Sequence, residues 1–181
     1  MPKPDFVHLH VHSHYSLLDG LGKVPALVGR AKELGMNALA LTDHGVMYGA
    51  IDFYLECRHQ GIKPIIGVEA YVARRKITDK TPGEDTKPYH LLLLAKNFQG
   101  YQNLIKLTSI AHLEGYYYKP RIDRDLLSRH HEGLIATTAC LASETSRLIE
   151  NRDFDLLNKT VGEYREIFGR DHYYLELQHH P

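Results

Sequence analysis

The sequence predicts an α/β fold, on three observations. Short, almost wholly apolar segments recur along the chain, amphipathic segments separate several of them, and turn residues mark many of the junctions. The apolar segments, such as 37–42 and 90–95, are continuous runs rather than alternations of apolar and polar residues. Strands of that kind are buried on both faces, which points to a parallel sheet covered by helices. A barrel and an open doubly wound sheet both satisfy the pattern.

Taken in order, Phe6–His10 is a strand candidate running into a loop that ends Leu17-Leu18-Asp19-Gly20. Residues 23–34 place Val24, Leu27, Ala31 and Leu34 on one helical stripe, with Pro25 suited to the first turn and Gly35 to the stop. A buried strand over 37–42 leads through Asp43-His44-Gly45 into a helix over 49–60, and 63–72 is the next strand. The stretch 74–87 is polar and turn-rich, hence a surface loop. A strand over 90–95 precedes a helix face marked by Tyr101, Leu104, Ile105, Thr108 and Ala111. A strand over 133–138 ends at Ala139-Cys140. Leu157, Val161, Tyr164 and Phe168 stripe a helix stopping at Gly169, and 172–177 offers a last strand.

Composition bounds the function. With 181 residues, 43% hydrophobic and 24% charged, the chain can bury a sizeable core in one domain. No apolar run approaches the ~20 residues of a spanning helix, and Met1-Pro-Lys-Pro-Asp5 lacks an apolar signal core. Cys57 and Cys140 make no disulfide framework, so a reducing cytoplasm is expected. Twenty-two basic against 22 acidic residues argue against nucleic-acid binding by bulk charge alone. Thirteen histidines, by contrast, are roughly three times ordinary usage, and His8, His10, His12 and His14 crowd one segment.

The chemistry lies near the strand ends. The first strand delivers His10, His12 and, a loop later, Asp19; the second ends at Asp43-His44, Glu69 lies on the third, His90 begins the fourth and Cys140 ends the fifth. In α/β folds functional side chains gather along one such edge. His90 sits at the wrong end of its strand for this rule, which we read as a misplaced boundary. The His-x-His spacing projects two imidazoles to one face of an extended chain, although the four alternating histidines share that phase. Imidazoles, the carboxylates Asp19 and Glu69, and one thiol suit Zn, Mn or Fe better than Mg or Ca. Seven ligands exceed one four-coordinate ion, and carboxylates bridge cations, so a multinuclear phosphoesterase centre is expected. In such centres one ion acidifies water while the others neutralise phosphate charge. Asp19, His44 and Glu69 take the catalytic role, exercised through the bound metals.

Other features have plainer readings. Cys57 is a core residue, while His130-His131, Arg74-Arg75-Lys76 and His179-His180 are solvated. The stretch Gly115-Tyr-Tyr-Tyr-Lys-Pro-Arg121 mixes aromatics with cations, as a single-strand groove does, and packing of tyrosines over the barrel edge explains it equally well.

Residues 8–20 (HLHVHSHYSLLDG), 41–45 (LTDHG) and 61–72 (GIKPIIGVEAYV) resemble the polymerase-and-histidinol-phosphatase (PHP) domain family. Residues 89–97, 100–107 and 113–123 resemble, more narrowly, the branch at the N-terminus of bacterial replicative DNA polymerase alpha subunits. The resemblance implies a distorted seven-stranded, TIM-like βα barrel. It implies up to three ions (Zn2+ or Mn2+, with Fe or Mg as alternatives) and 3′–5′ exonuclease activity. Matched motif by motif, it places ligands at His10, His12, Asp19, His44, Glu69, His90 and Cys140, the register of Ser16 and Asp19 selecting His10 and His12 over His8 and His14. The family's last two ligands, an Asp-x-His pair, have no counterpart after Cys140. Residues 1–181 are therefore expected to be a PHP fragment truncated before its last strand, lacking every polymerase domain. The implied partners are the 3′ end of a DNA primer strand and other subunits of the polymerase holoenzyme, with no membrane. Two alternatives stand beside the nuclease: a non-catalytic structural module of the polymerase, and a small-molecule phosphatase, which the stretch 89–123 disfavours.

Overall fold

The computed structural model describes residues 6–17 and 19–179; the readings made above on Met1–Asp5, Leu18 and His180 lie outside them. Helix α1 (Val24–Glu33) has Pro25 in its first turn, and Leu34 closes it by donating its N–H to the Arg30 carbonyl. Its buried stripe is Val24, Val28 and Ala31, so Val28 replaces the expected Leu27, and Leu34 is 42% exposed. That stripe packs on Phe53 and Cys57 of α2 (Ala50–Gln60) and on Leu39 and Leu41 of β1 (Ala38–Leu41). Cys57 is fully buried, as a small apolar side chain would be.

The sheet is mixed, not parallel. Strand β1 runs parallel to β2 (Lys63–Val72), but β3 (Tyr89–Ala95) runs antiparallel to β2, pairing Tyr71 with His90. After α3 (Phe98–Leu113), the two-residue β4 (Arg121–Ile122) lies parallel to β2. Beyond α4 (Arg124–Arg129), β5 (Leu134–Thr137) is antiparallel to β3. Helices α5 (Glu144–Glu150) and α6 (Phe154–Phe168) then lead to β6 (Tyr173–Tyr174), parallel to β5. The order is β1-β2-β3-β5-β6, with β4 paired to β2 off this path. Continuous apolar runs report burial on both faces and say nothing of direction. Direction depends on the connections: a parallel neighbour needs a long crossover, usually helical, and residues 73–88 between β2 and β3 contain no helix.

Three sequence expectations change accordingly. Residues 6–10 form no regular strand; His8 and Val11 instead accept backbone hydrogen bonds from Ala40 and Thr42, laying an extended segment along β1. The last strand shrinks to Tyr173–Tyr174. His90 begins β3 because β3 is reversed, so the boundary needs no shift and the start of β3 lies at the C-terminal edge of β2. The elements β4, α4 and α5 were too short for periodicity to reveal, although Asp123 and Ser143 cap the two helices through Leu126 and Ser146 N–H groups.

The main core joins Val68, Val72, Leu91, Leu93, Leu104, Leu107, Leu127 and Phe168 between the sheet and α3, α4 and α6. Beside it the 74–87 loop wraps around Arg121. That guanidinium is fully buried and donates to the carbonyls of Gly115, Ile77, Asp79 and Asp85. It is therefore a structural cation, unavailable to nucleic acid. Nor is 74–76 merely solvated: Arg74 donates to the Lys87 carbonyl, and Arg75 pairs with the buried Asp85 carboxylate. Arg75 holds the Asp85 pKa down at about 2, against an ordinary 3.8. A depressed carboxylate pKa stabilises the fold above the unfolded value and loses that contribution as pH falls through the folded one. Limited proteolysis within 74–87 should therefore be constant from neutrality to about pH 4 and rise as pH approaches 2.

Candidate metal centre

Glu69, fully buried on β2, is the hub of the site. Its Oε2 lies 2.8 Å from His12 Nε2, 2.9 Å from His44 Nδ1 and 3.2 Å from His10 Nε2, while Oε1 lies 3.0 Å from His90 Nδ1. Asp19 Oδ2 is 2.6 Å from His44 Nε2 and 3.7 Å from His12 Nδ1. Cys140 Sγ stands 3.4 Å from His90 Nδ1. All seven side chains singled out in the sequence meet here. His8 and His14, sharing the phase of His10 and His12, are exposed, His8 meeting Phe6 edge-on and His14 lying tilted against Tyr15.

The topology explains the convergence. The chain leaving β1 continues beside β2 and bridges His44 to Glu69, while reversed β3 delivers His90 opposite Tyr71. After β5 the backbone turns at Ala139, where φ is +54°, and the turn brings Cys140 and Ser143 against His90. Buried Asp43 secures the histidine loop: one oxygen accepts from Ser13 N and Ser16 Oγ, the other from Ser13 Oγ. Ser16 Oγ in turn accepts from His44 N, tying both ends of the site together. Gly20 is required by close approach, since a Cβ there would lie 1.8 Å from the Ser13 carbonyl oxygen. Tyr71 forms a wall, stacked on His44 at 5.8 Å and edge-on to His90 at 5.1 Å.

Burial opposes charge on Glu69, yet its contacts with His10, His12, His44 and His90 hold its pKa far below the carboxylate range. Burial likewise opposes charge on His10, but the hydrogen-bonded Glu176 carboxylate and the nearby Glu69 outweigh it and raise its pKa to about 9. Cys140 moves the other way, pushed up to about 11 by burial and by Glu69. Three atoms carry the diagnosis. His12 Nε2, His44 Nδ1 and Glu69 Oε2 are buried and make no hydrogen bond, although both nitrogens lie within 3 Å of that oxygen. Orphaned polar atoms in the interior are costly, and a cation among them would satisfy all three at once. Three overlapping trios each bring their ligand atoms within 4.8 Å: His10-His12-Glu69, His12-Asp19-His44 and His44-Glu69-His90. The residues present thus fit a divalent cation, and their overlap fits more than one; Cys140 lies at the margin of these trios.

Sequence reasoning gave no positioning role to Asp43, Ser13 or Ser16. It also missed Glu176, whose Oε1 lies 2.8 Å from His10 Nδ1. Glu176 shares the two-residue phase of Tyr174 and Gln178, the only hint available in the sequence.

The seven side chains gathered here stand at the positions where the resemblance given above places ligands. The PHP domain family matches residues 8–180, and the chain belongs to it. Among curated proteins, the chain is similar to DNA polymerase III subunit alpha from several bacteria. The protein of Borreliella burgdorferi is 51% identical over 176 residues, covering 97% of this chain and 15% of the relative. That of Treponema pallidum is 49% identical over 183 residues, covering 99% and 16%. That of Thermus aquaticus is 47% identical over 182 residues, covering 98% and 15%. The chain therefore spans about 15% of the length of these relatives. Among the described residues, no helix is long and apolar enough to cross a membrane.

Proposed function

We propose that residues 1–181 form part of the PHP domain of a replicative DNA polymerase III alpha subunit. In this reading His10, His12, Asp19, His44, Glu69, His90 and Cys140 hold up to three Zn2+ or Mn2+ ions, and the intact protein removes nucleotides from a DNA 3′ end. The distorted seven-stranded barrel belongs to the same proposal. Its chief support is the orphaned trio of His12 Nε2, His44 Nδ1 and Glu69 Oε2. Cations bound there supply Lewis acidity, acidifying water and offsetting the charge of a phosphodiester. The chain's own residues do the rest. Glu69 provides buried negative charge facing four imidazoles, Asp19 closes the cluster on its exposed side, and Tyr71 keeps water from the back of His44 and His90.

Metal analysis paired with degradation of a 3′-end-labelled DNA tests this reading. Hydrolysis that chelators abolish and Zn2+ or Mn2+ restores is the expected result. A folded, metal-replete protein that leaves the label intact would favour a structural module of the polymerase. Within the same experiment Asp19→Asn should lose more metal than Cys140→Ala, because Asp19 belongs to one of the close trios and Cys140 to none. Equal losses would count against a bridging role for Asp19.

A further inference from the structure

A ligating imidazole offers a lone pair at one nitrogen only, and the hydrogen-bond partner of its other nitrogen decides which one. His10 has such a partner. Its Nδ1 lies 2.8 Å from Glu176 Oε1, while its Nε2 faces Glu69 Oε2 at 3.2 Å. Glu176 is itself held firmly: Oε2 accepts from Thr137 Oγ1, Oε1 accepts from Gln178 Nε2 at 2.8 Å, and its backbone N–H donates to Thr138 Oγ1. Gln178 Nε2 also passes 3.2 Å from His10 Nδ1. Two donors do not bond, however, so its amide serves Glu176. Both carboxylate oxygens of Glu176 already accept hydrogen bonds, unlike Oε2 of Glu69, which accepts none. Glu176 therefore has the surroundings of a buttress and not of a ligand.

We infer that Glu176 is a positioning residue that holds His10 with Nδ1 protonated and Nε2 aimed at a cation shared with Glu69. This rests on the metal-centre reading proposed above. The carboxylate comes from the far end of the chain, and the β5 edge fixes it through Thr137 and Thr138. The orientation of the first histidine of the motif thus depends on the segment following β6.

The test is Zn2+ binding to the chain by competition with a chromophoric chelator, together with 15N NMR of histidine-labelled, Zn2+-loaded protein. Glu176→Ala should weaken Zn2+ binding about 10- to 100-fold, the range for losing the partner of a ligating histidine. It should also split the His10 ring signals between Nδ1- and Nε2-coordinated forms. Glu176→Gln, whose amide oxygen can still accept from Nδ1–H, should recover most of the affinity and a single Nε2-coordinated form. Thr137→Val leaves Glu176 in place without its Oε2 partner, so a smaller loss in the same direction is expected. It carries the test if Glu176→Ala fails to fold. Parent-like affinity in Glu176→Ala, or weakened affinity with the His10 pattern unchanged, overturns the positioning role. If the parent chain binds no Zn2+, the metal-centre reading itself has failed, and that outcome is read from the parent alone.

Discussion

Glu69→Gln is expected to yield a folded chain that retains almost no divalent metal. The substitution keeps size and shape, but it removes the one buried negative charge that four imidazole nitrogens face within 3.2 Å. Losing a hydrogen-bond partner of a ligating residue costs up to roughly 100-fold in metal affinity, so losing this shared carboxylate should cost more. Folding should survive because the amide can still hydrogen-bond neutral imidazole, and Gln imposes none of the desolvation cost of a buried carboxylate. The proton affinities of His10 and His44, which contact with Glu69 helps raise, should fall in parallel. Elemental analysis after exhaustive gel filtration gives the metal content, and circular dichroism gives the fold. Retention of parental metal by Glu69→Gln would show that the cation is held without the Glu69 carboxylate.

The second large effect is on stability and lies outside the site. Arg121→Leu leaves the carbonyls of Gly115, Ile77, Asp79 and Asp85 without their donor inside the 74–87 wrap. Hydrogen bonds to a charged group contribute about 1.5–3 kcal/mol each, and stranded acceptors add a penalty. Partial relaxation of the loop toward water will offset much of that sum, so a net loss of about 4 kcal/mol is expected. For a chain of this size that lowers Tm by roughly 10 °C. Arg121→Lys should recover only part, because one ammonium cannot reproduce the planar fork that reaches separate carbonyls. Thermal unfolding of both variants measures the difference. A Leu variant within a degree or two of the parent would mean that these carbonyls find water at no cost.

The two residues illustrate what the sequence could and could not disclose. Glu69 was conspicuous because an acid inside an apolar strand demands compensation, and the histidines that compensate it stood near the ends of other segments. Arg121 was ambiguous. Beside three tyrosines it looked as suited to a nucleic-acid groove as to packing, and only its four carbonyl partners, three of them over 35 residues away, resolve it as structural. Strand positions followed from hydrophobic runs, whereas strand direction followed from a connection, and the helix-free 73–88 segment was the overlooked clue. Reversal of β3 then accounts for His90, which had seemed misplaced. Glu176 was illegible for a different reason: a carboxylate in a polar terminal segment needs no explanation until its distant partner is known.

The contact between His10 and Glu176 spans 166 residues of chain. On a translating ribosome His10 emerges 166 residues before Glu176, so this contact cannot form when the histidine motif is made. Until residue 176 has cleared the exit tunnel, nascent His10 has no buttress, and closing so long a loop is entropically the costliest step of its assembly. In the proposed centre, His10 is therefore oriented only after residue 176 has been made.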